Sequence, residues 1–246
     1  MKVAVVSGKG GVGKTTITLA MAETLARRYK VGIFDADVTG ANTHLQLKII
    51  KDFEIIGETI YPAIAELNGH KIEYMSIALV SDSYVLWKGD SVGDFVSQIM
   101  EKTKWSCDYV IIDAPPGTHA DMLKAVECSD VVVLVTIPAK FAELDAVRTI
   151  ELVREIGKPI AGMFINFTHV VCPHCGKEIK LFDYGIDLPI PVIDKIRFGS
   201  VSIDLDKLVY HLNNPVMLKP RGEKLSVKAK RELVKLILKG FARGWR

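Results

Sequence analysis

Four stretches of this chain are apolar without alternation: Val3 to Val6, Val31 to Phe34, Tyr109 to Ile112 and Val131 to Thr136. Runs this short, rich in β-branched residues, predict strands buried on both faces of a parallel sheet. Ile160 to Asn166 reads as another strand of the kind. Between them the period changes. From Lys14 to about Arg28, Ile17, Leu19, Ala22 and Leu25 recur at helical spacing, and Asp94 to Glu101 and about Phe141 to Ile156 do the same. The runs Ile55 to Ile64 and Ile72 to Leu79 flank Asn68-Gly69, a dipeptide that predicts a hairpin. Strands alternating with helices predict an α/β fold. It is an open, mostly parallel sheet with helices on both faces and right-handed crossovers. One domain over residues 1–246 accommodates it.

The first strand runs straight into Ser7-Gly8-Lys9-Gly10-Gly11-Val12-Gly13-Lys14-Thr15-Thr16. Gly at the first and sixth positions of an eight-residue window closing on Lys-Thr is the spacing of a phosphate loop. Without Cβ atoms in the way, backbone N–H groups can turn inward, and with the positive end of the next helix they hold phosphate oxygens. Lys14 is expected to reach the β- and γ-phosphates of a nucleoside triphosphate, and the Thr15 hydroxyl to ligate Mg²⁺. Asp35 and Asp37 follow the second strand at its carboxyl end, where open α/β sheets bind ligands. Carboxylates there can hold Mg²⁺-bound water or orient an attacking one. Asp113 ends the third strand as in a Walker B element, before Ala114-Pro115-Pro116-Gly117. Gly117 is expected to bring its N–H towards the γ-phosphate.

Composition changes this picture little. At 49% apolar and 25% charged residues it is that of an ordinary globular protein, and a net charge of +3 does not by itself argue for nucleic acid. No apolar run is long enough to cross a bilayer, and the first strand begins where a signal peptide would stand, so a cytoplasmic protein is expected. Four cysteines in a reducing compartment suggest metal or thiol chemistry. Cys107 and Cys128 read as buried thiols. Cys172-Pro173-His174-Cys175-Gly176 is a half site, since tetrahedral zinc and four-iron clusters want four ligands. Spacing leaves several readings open: a site shared by two chains, zinc completed by His169 or His174, a redox dithiol, or no metal. Leu225, Ala229, Leu233 and Leu236 recur at helical spacing among lysines, so a basic amphipathic helix is expected over about 224–239. Such a helix can lie on an anionic membrane, although packing on the domain is the plainer use of its stripe.

Lys-Gly-Gly-Val-Gly-Lys-Thr-Thr, with Lys9 inside the glycines, resembles the deviant Walker A loop of the MinD/ParA group. Asp-Ala-Asp-Val, Trp-Lys-Gly-Asp, Asp-Tyr-Val-Ile-Ile-Asp-Ala-Pro-Pro-Gly and Cys-Pro-His-Cys-Gly follow in the order found in Mrp/ApbC-type iron–sulfur cluster carrier ATPases. The resemblance covers about residues 1–176. It implies a homodimer that sandwiches ATP and bridges a [4Fe–4S] cluster between two Cys172/Cys175 pairs for delivery to apoproteins, with zinc a possible substitute. No stable nucleic-acid or membrane partner is implied. It further implies that Lys9 acts in trans, as an arginine finger does for roughly 10³–10⁵ in rate. The same resemblance implies that Asp35 contacts Mg²⁺ through water, that Asp37 positions the hydrolytic water and that Asn166 reads adenine. The rival reading is a MinD- or ParA-like positioning switch without metal cargo. A phosphotransferase on the same loop is a third, against which Lys9 and the Asp-x-Pro-Pro-Gly turn argue.

Overall fold

The computed structural model describes residues 1–37, 40, 43–80 and 90–219. Trp87 to Gly89 and the basic stretch around 224–239 lie outside them. The chain opens with β1 (Lys2–Val6), α1 (Lys14–Ala26) and β2 (Val31–Asp35), then a 3₁₀ turn at Thr43–Gln46. Five short strands follow: β3 (Lys48–Lys51), β4 (Glu54–Ile56), β5 (Thr59–Tyr61), β6 (Ala63–Leu67) and β7 (His70–Ser76). Next come α2 (Ile77–Val80), α3 (Asp90–Lys102), β8 (Tyr109–Asp113), α4 (Ala120–Glu127), β9 (Val131–Thr136), α5 (Lys140–Ile156) and β10 (Ile160–Ile165). The last described elements are β11 (His169–Val171), β12 (Glu178–Lys180), β13 (Val192–Lys195) and α6 (Leu205–Asn213).

Nine strands form one sheet in the order β13-β10-β9-β1-β8-β2-β7-β6-β3. Its central strands pair in parallel and are buried throughout their apolar runs, with only Lys2 at the start of β1 partly exposed. One face packs Ile17, Met21 and Leu25 of α1 with Leu208 and Leu212 of α6. The other packs Val96 and Met100 of α3, Met122 and Val126 of α4, and Ile150 and Val153 of α5. Helices on both faces of a mostly parallel sheet are what the alternating pattern predicts.

The edge departs from expectation. Asn68 and Gly69 do turn a hairpin, with φ of +47° and +85°, but it joins the shorter strands β6 and β7 in antiparallel pairing. β3 adds antiparallel to β6, and β4 and β5 form a separate ribbon. Of these strands, β3 and β4 escape a pattern reading because they do not alternate. Lys48 to Lys51 and Glu54 to Ile56 are exposed throughout. Helix α6 was not expected either. Its stripe repeats only twice, although Asp204 caps it by accepting the Lys207 N–H at 2.8 Å.

Candidate functional site

The phosphate loop lies at the carboxyl ends of β1, β8 and β2, between β1 and α1. Gly13 caps α1 with φ +85° and brings no side-chain acceptor, and no acidic residue occupies the helix's first turn. The positive helix end therefore keeps its N–H groups for an anion. The loop is tightly enclosed. A Cβ on Gly13 would stand 2.2 Å from the Asn166 amide nitrogen, and one on Gly8 would stand 2.4 Å from the Asp145 carbonyl oxygen. Gly10 and Gly11 have more room: a Cβ on Gly10 would meet only Pro116, at 3.9 Å, and one on Gly11 would meet nothing within 4 Å.

Below the loop sits a buried charge centre. Lys14 Nζ is 2.6 Å from Asp113 Oδ1, and the Thr15 hydroxyl donates to Asp113 Oδ2 at 2.6 Å. Two donors not singled out in the sequence join them: the hydroxyls of Thr18 at 3.1 Å and Thr43 at 3.4 Å. Thr18 had a signal, since it stands four residues after Lys14 on the same helix face. Thr43 had none, because its loop has no period. Asp35 is directly opposite Asp113 in the β2/β8 register. Its burial, and then the Asp113 charge beside it, push its carboxyl up to about 6. Two carboxylates facing each other with a threonine hydroxyl are a hard-oxygen donor set that fits Mg²⁺.

The remaining loop-side residues are placed as follows. Asp37 Oδ1 accepts from the Gly40 N–H at 2.9 Å, and the Asp37 N–H donates to Asp35 Oδ1 at 3.2 Å. Gly117, at φ +92°, donates its N–H to the Ser7 carbonyl at 3.1 Å, so a turn towards phosphate has first to open that bond. Asn166 is buried. Its amide donates to the Val12 carbonyl at 2.9 Å, and its Oδ1 accepts from Phe167 N–H at 2.9 Å. A cleft of about 430 Å³ lies beside it, lined by Thr16, Asn166, Phe167, Arg197 and Ser200 among others. Lys9 lies over the first turn of α5, with Nζ 4.2 Å from the ring centre of Phe141.

Cys172 and Cys175 sit at the tip of the antiparallel hairpin β11–β12. Gly176 N–H donates to the Cys172 carbonyl at 2.9 Å and Cys172 N–H to the Lys177 carbonyl at 2.9 Å, which closes the turn. The backbone N–H groups of Cys175, then His174, hold the Cys172 thiol below its ordinary value, with help from the Cys175 side chain. A thiolate is the nucleophilic and metal-binding form of cysteine. His169 is turned elsewhere, with Nδ1 3.0 Å from the Thr168 hydroxyl and Nε2 3.7 Å from Glu178. Among the described residues no group of three or more His, Cys, Asp and Glu could hold a metal ion. Cys107 and Cys128 are half-buried, not buried as expected. Trp105 and Cys107 pack against Gly32.

A family model described as the NUBPL iron-transfer P-loop NTPase of the ParA group matches residues 1–214. The iron–sulfur cluster carrier protein of Pyrococcus abyssi is 34% identical over 220 residues, covering 83% of this chain and 74% of that protein. The protein of the same name from Rickettsia bellii is 37% identical over 201 residues, covering 78% of this chain and 61% of its own length. Among solved structures, a nucleotide-binding protein from Archaeoglobus fulgidus in complex with ADP superposes with a TM-score of 0.61 at 25% identity, covering 84% of each chain. The cell division ATPase MinD of Pyrococcus furiosus gives 0.57 at 20% identity over 87% of this chain and 98% of its own, a likeness of fold.

Proposed function

The chain belongs to the NUBPL iron-transfer family of ParA-type P-loop NTPases, and from that premise we propose that it is an ATP-hydrolysing carrier of iron–sulfur clusters. Two copies hold a [4Fe–4S] cluster between their Cys172/Cys175 pairs and pass it to recipient apoproteins in the cytoplasm. The observation that carries this reading is the thiol turn. It presents two ligands, one of them activated, where the described chain assembles no third. Four thiolates complete the set only across two chains. A positioning switch without cargo would leave that turn unused.

In this reading the backbone N–H groups of Gly8, Gly10, Gly11, Val12 and Gly13 cradle the phosphates. Lys14 exchanges its Asp113 partner for β- and γ-phosphate oxygens. Thr15, Asp35 and Asp113 would hold Mg²⁺, which would supply charge neutralisation on the transferring phosphoryl group. Thr16 and Asn166 border the nucleoside. Asp37 orients the attacking water, Gly117 turns its N–H to the γ-phosphate, and Lys9 leaves Phe141 for the partner's nucleotide. The whole chain works as one P-loop domain carrying its metal turn.

Anaerobic reconstitution with iron and sulfide is expected to give about four irons per dimer. A Cys172→Ser/Cys175→Ser variant that loads iron equally well would sink the proposal, and a wild type that keeps zinc from isolation and takes up no iron would replace the cargo. Lys9→Ala is expected to bind Mg-ATP and fail to hydrolyse it; loss of binding would place Lys9 in its own chain's site.

A further inference from the structure

Helix α5 touches the phosphate loop on one flank and the segment behind the thiol hairpin on the other. On the first flank, Gly8 lies so close to Asp145 that a Cβ would stand 2.4 Å from its carbonyl oxygen, and Lys9 stacks 4.2 Å from the Phe141 ring centre. Glu143 stands two residues from each, about 200° round the helix axis. Its carboxylate accepts from the Tyr184 hydroxyl through one oxygen and from the Asp187 N–H, at 3.1 Å, through the other. Tyr184 and Asp187 belong to the strap that leaves β12, the second strand of the thiol hairpin, and runs to β13. Leu188 and Ile190 anchor the strap's far end in the core.

The hairpin is held at its base. Thr168 N–H donates to the Ile196 carbonyl at 3.0 Å, and Phe198 N–H to the His169 carbonyl at 2.8 Å. Between hairpin and strap lies a cleft of about 640 Å³, lined by His169, Lys180, Tyr184 and Lys195 among others. The hairpin therefore has space on its strap side, and a shift of the strap can tilt it about its base.

We infer that Glu143 is a positioning residue that relays nucleotide state to the cysteines: it fastens the strap to α5, so that displacement of residues 8 and 9 by nucleotide moves Tyr184 and alters the exposure of Cys172 and Cys175. The inference rests on the carrier reading for its purpose, but not for its test. The test uses the full chain, metal-free and reduced. The rate of iodoacetamide labelling at Cys172 and Cys175 is followed by mass spectrometry, with and without a non-hydrolysable Mg-ATP analogue. Wild type is expected to change its labelling rate about fivefold or more on nucleotide binding, the low end of typical coupling between sites.

Glu143→Ala removes both hydrogen bonds to the strap, and Tyr184→Phe removes one of the two. Glu143→Ala is expected to bring that ratio close to one and Tyr184→Phe to lower it part of the way, with the analogue's affinity unchanged in both. A Glu143→Ala variant that keeps the wild-type ratio would overturn the inference, as would a wild type whose thiols ignore nucleotide. A fall in nucleotide affinity in Glu143→Ala would overturn it too, by making the residue part of the binding site. Iron loading of the wild type, measured separately, reports on the carrier reading alone.

Discussion

The phosphate-loop centre and the thiol turn are both left-handed glycine turns beside a reactive side chain, and they are built on opposite plans. Asp113 collects Lys14 at 2.6 Å and the hydroxyls of Thr15, Thr18 and Thr43, all beneath a loop with a Cβ's width to spare at neither Gly8 nor Gly13. The thiol turn is surrounded by solvent and closed by its own backbone, with nothing within 4 Å of where a Gly176 Cβ would lie. The first region is held from several elements at once, so its geometry is set before ligand arrives, which is what charge stabilisation at a phosphoryl group needs. The second is held at one end. In the proposed carrier reading, the release of cargo draws on this less constrained part of the fold.

The largest test of this contrast is Lys14→Ala. It leaves Asp113 as an unpaired buried carboxylate facing Asp35, and breaking such a pair is expected to cost about 3–5 kcal/mol in denaturant unfolding and to abolish nucleotide binding. A cost near zero would mean that water already relaxes the centre. Asp35→Asn comes next. Its folded-state value of about 6 lies above the ordinary 3.8. Wild type without nucleotide therefore loses stability as pH rises from about 4 to about 6, by on the order of 3 kcal/mol, and regains it on acidification. The asparagine variant lacks that term. The difference in unfolding free energy between the two should be small at pH 4 and favour the variant at pH 7.5. A difference that does not vary with pH would show that Asp35 is not held under strain.

The glycine pair compares the two regions directly. Gly13→Ala meets both a left-handed φ and the Asn166 amide, and is expected to cost roughly 2–4 kcal/mol together with nucleotide affinity. Gly176→Ala meets only its φ of +69° and is expected to cost about 1–2 kcal/mol, with nucleotide affinity intact. Equal costs would erase the distinction between an enclosed turn and an open one. The smallest effect is chemical. The Cys172 thiol is held below its ordinary value by backbone N–H groups, while burial and then Glu73 push Cys107 up to about 12. Alkylation at pH 8 should label Cys172 first and Cys107 last, and simultaneous labelling would mean the turn does not activate its thiol.

Much of this protein is carried by contiguous residues. The central strands, α1, α3 and α5 follow from apolar period, because a side chain's burial in regular structure depends on its phase along the element. The phosphate loop and the thiol turn are legible in six to eight neighbouring residues, because glycines admit the left-handed turns both contain. Asn68-Gly69 fixes the hairpin for the same reason. Tertiary structure alone decided the rest: that Asp35 and Asp113 come to lie opposite each other on adjacent strands, that Asn166 closes against Val12, that β3 caps the sheet edge with an exposed strand, and that Glu143 grips Tyr184. The residue pairs among these stand between 41 and 154 positions apart, and β3 has no alternation for a period to register. Their cause is the strand order, a global packing choice that local propensity leaves undetermined.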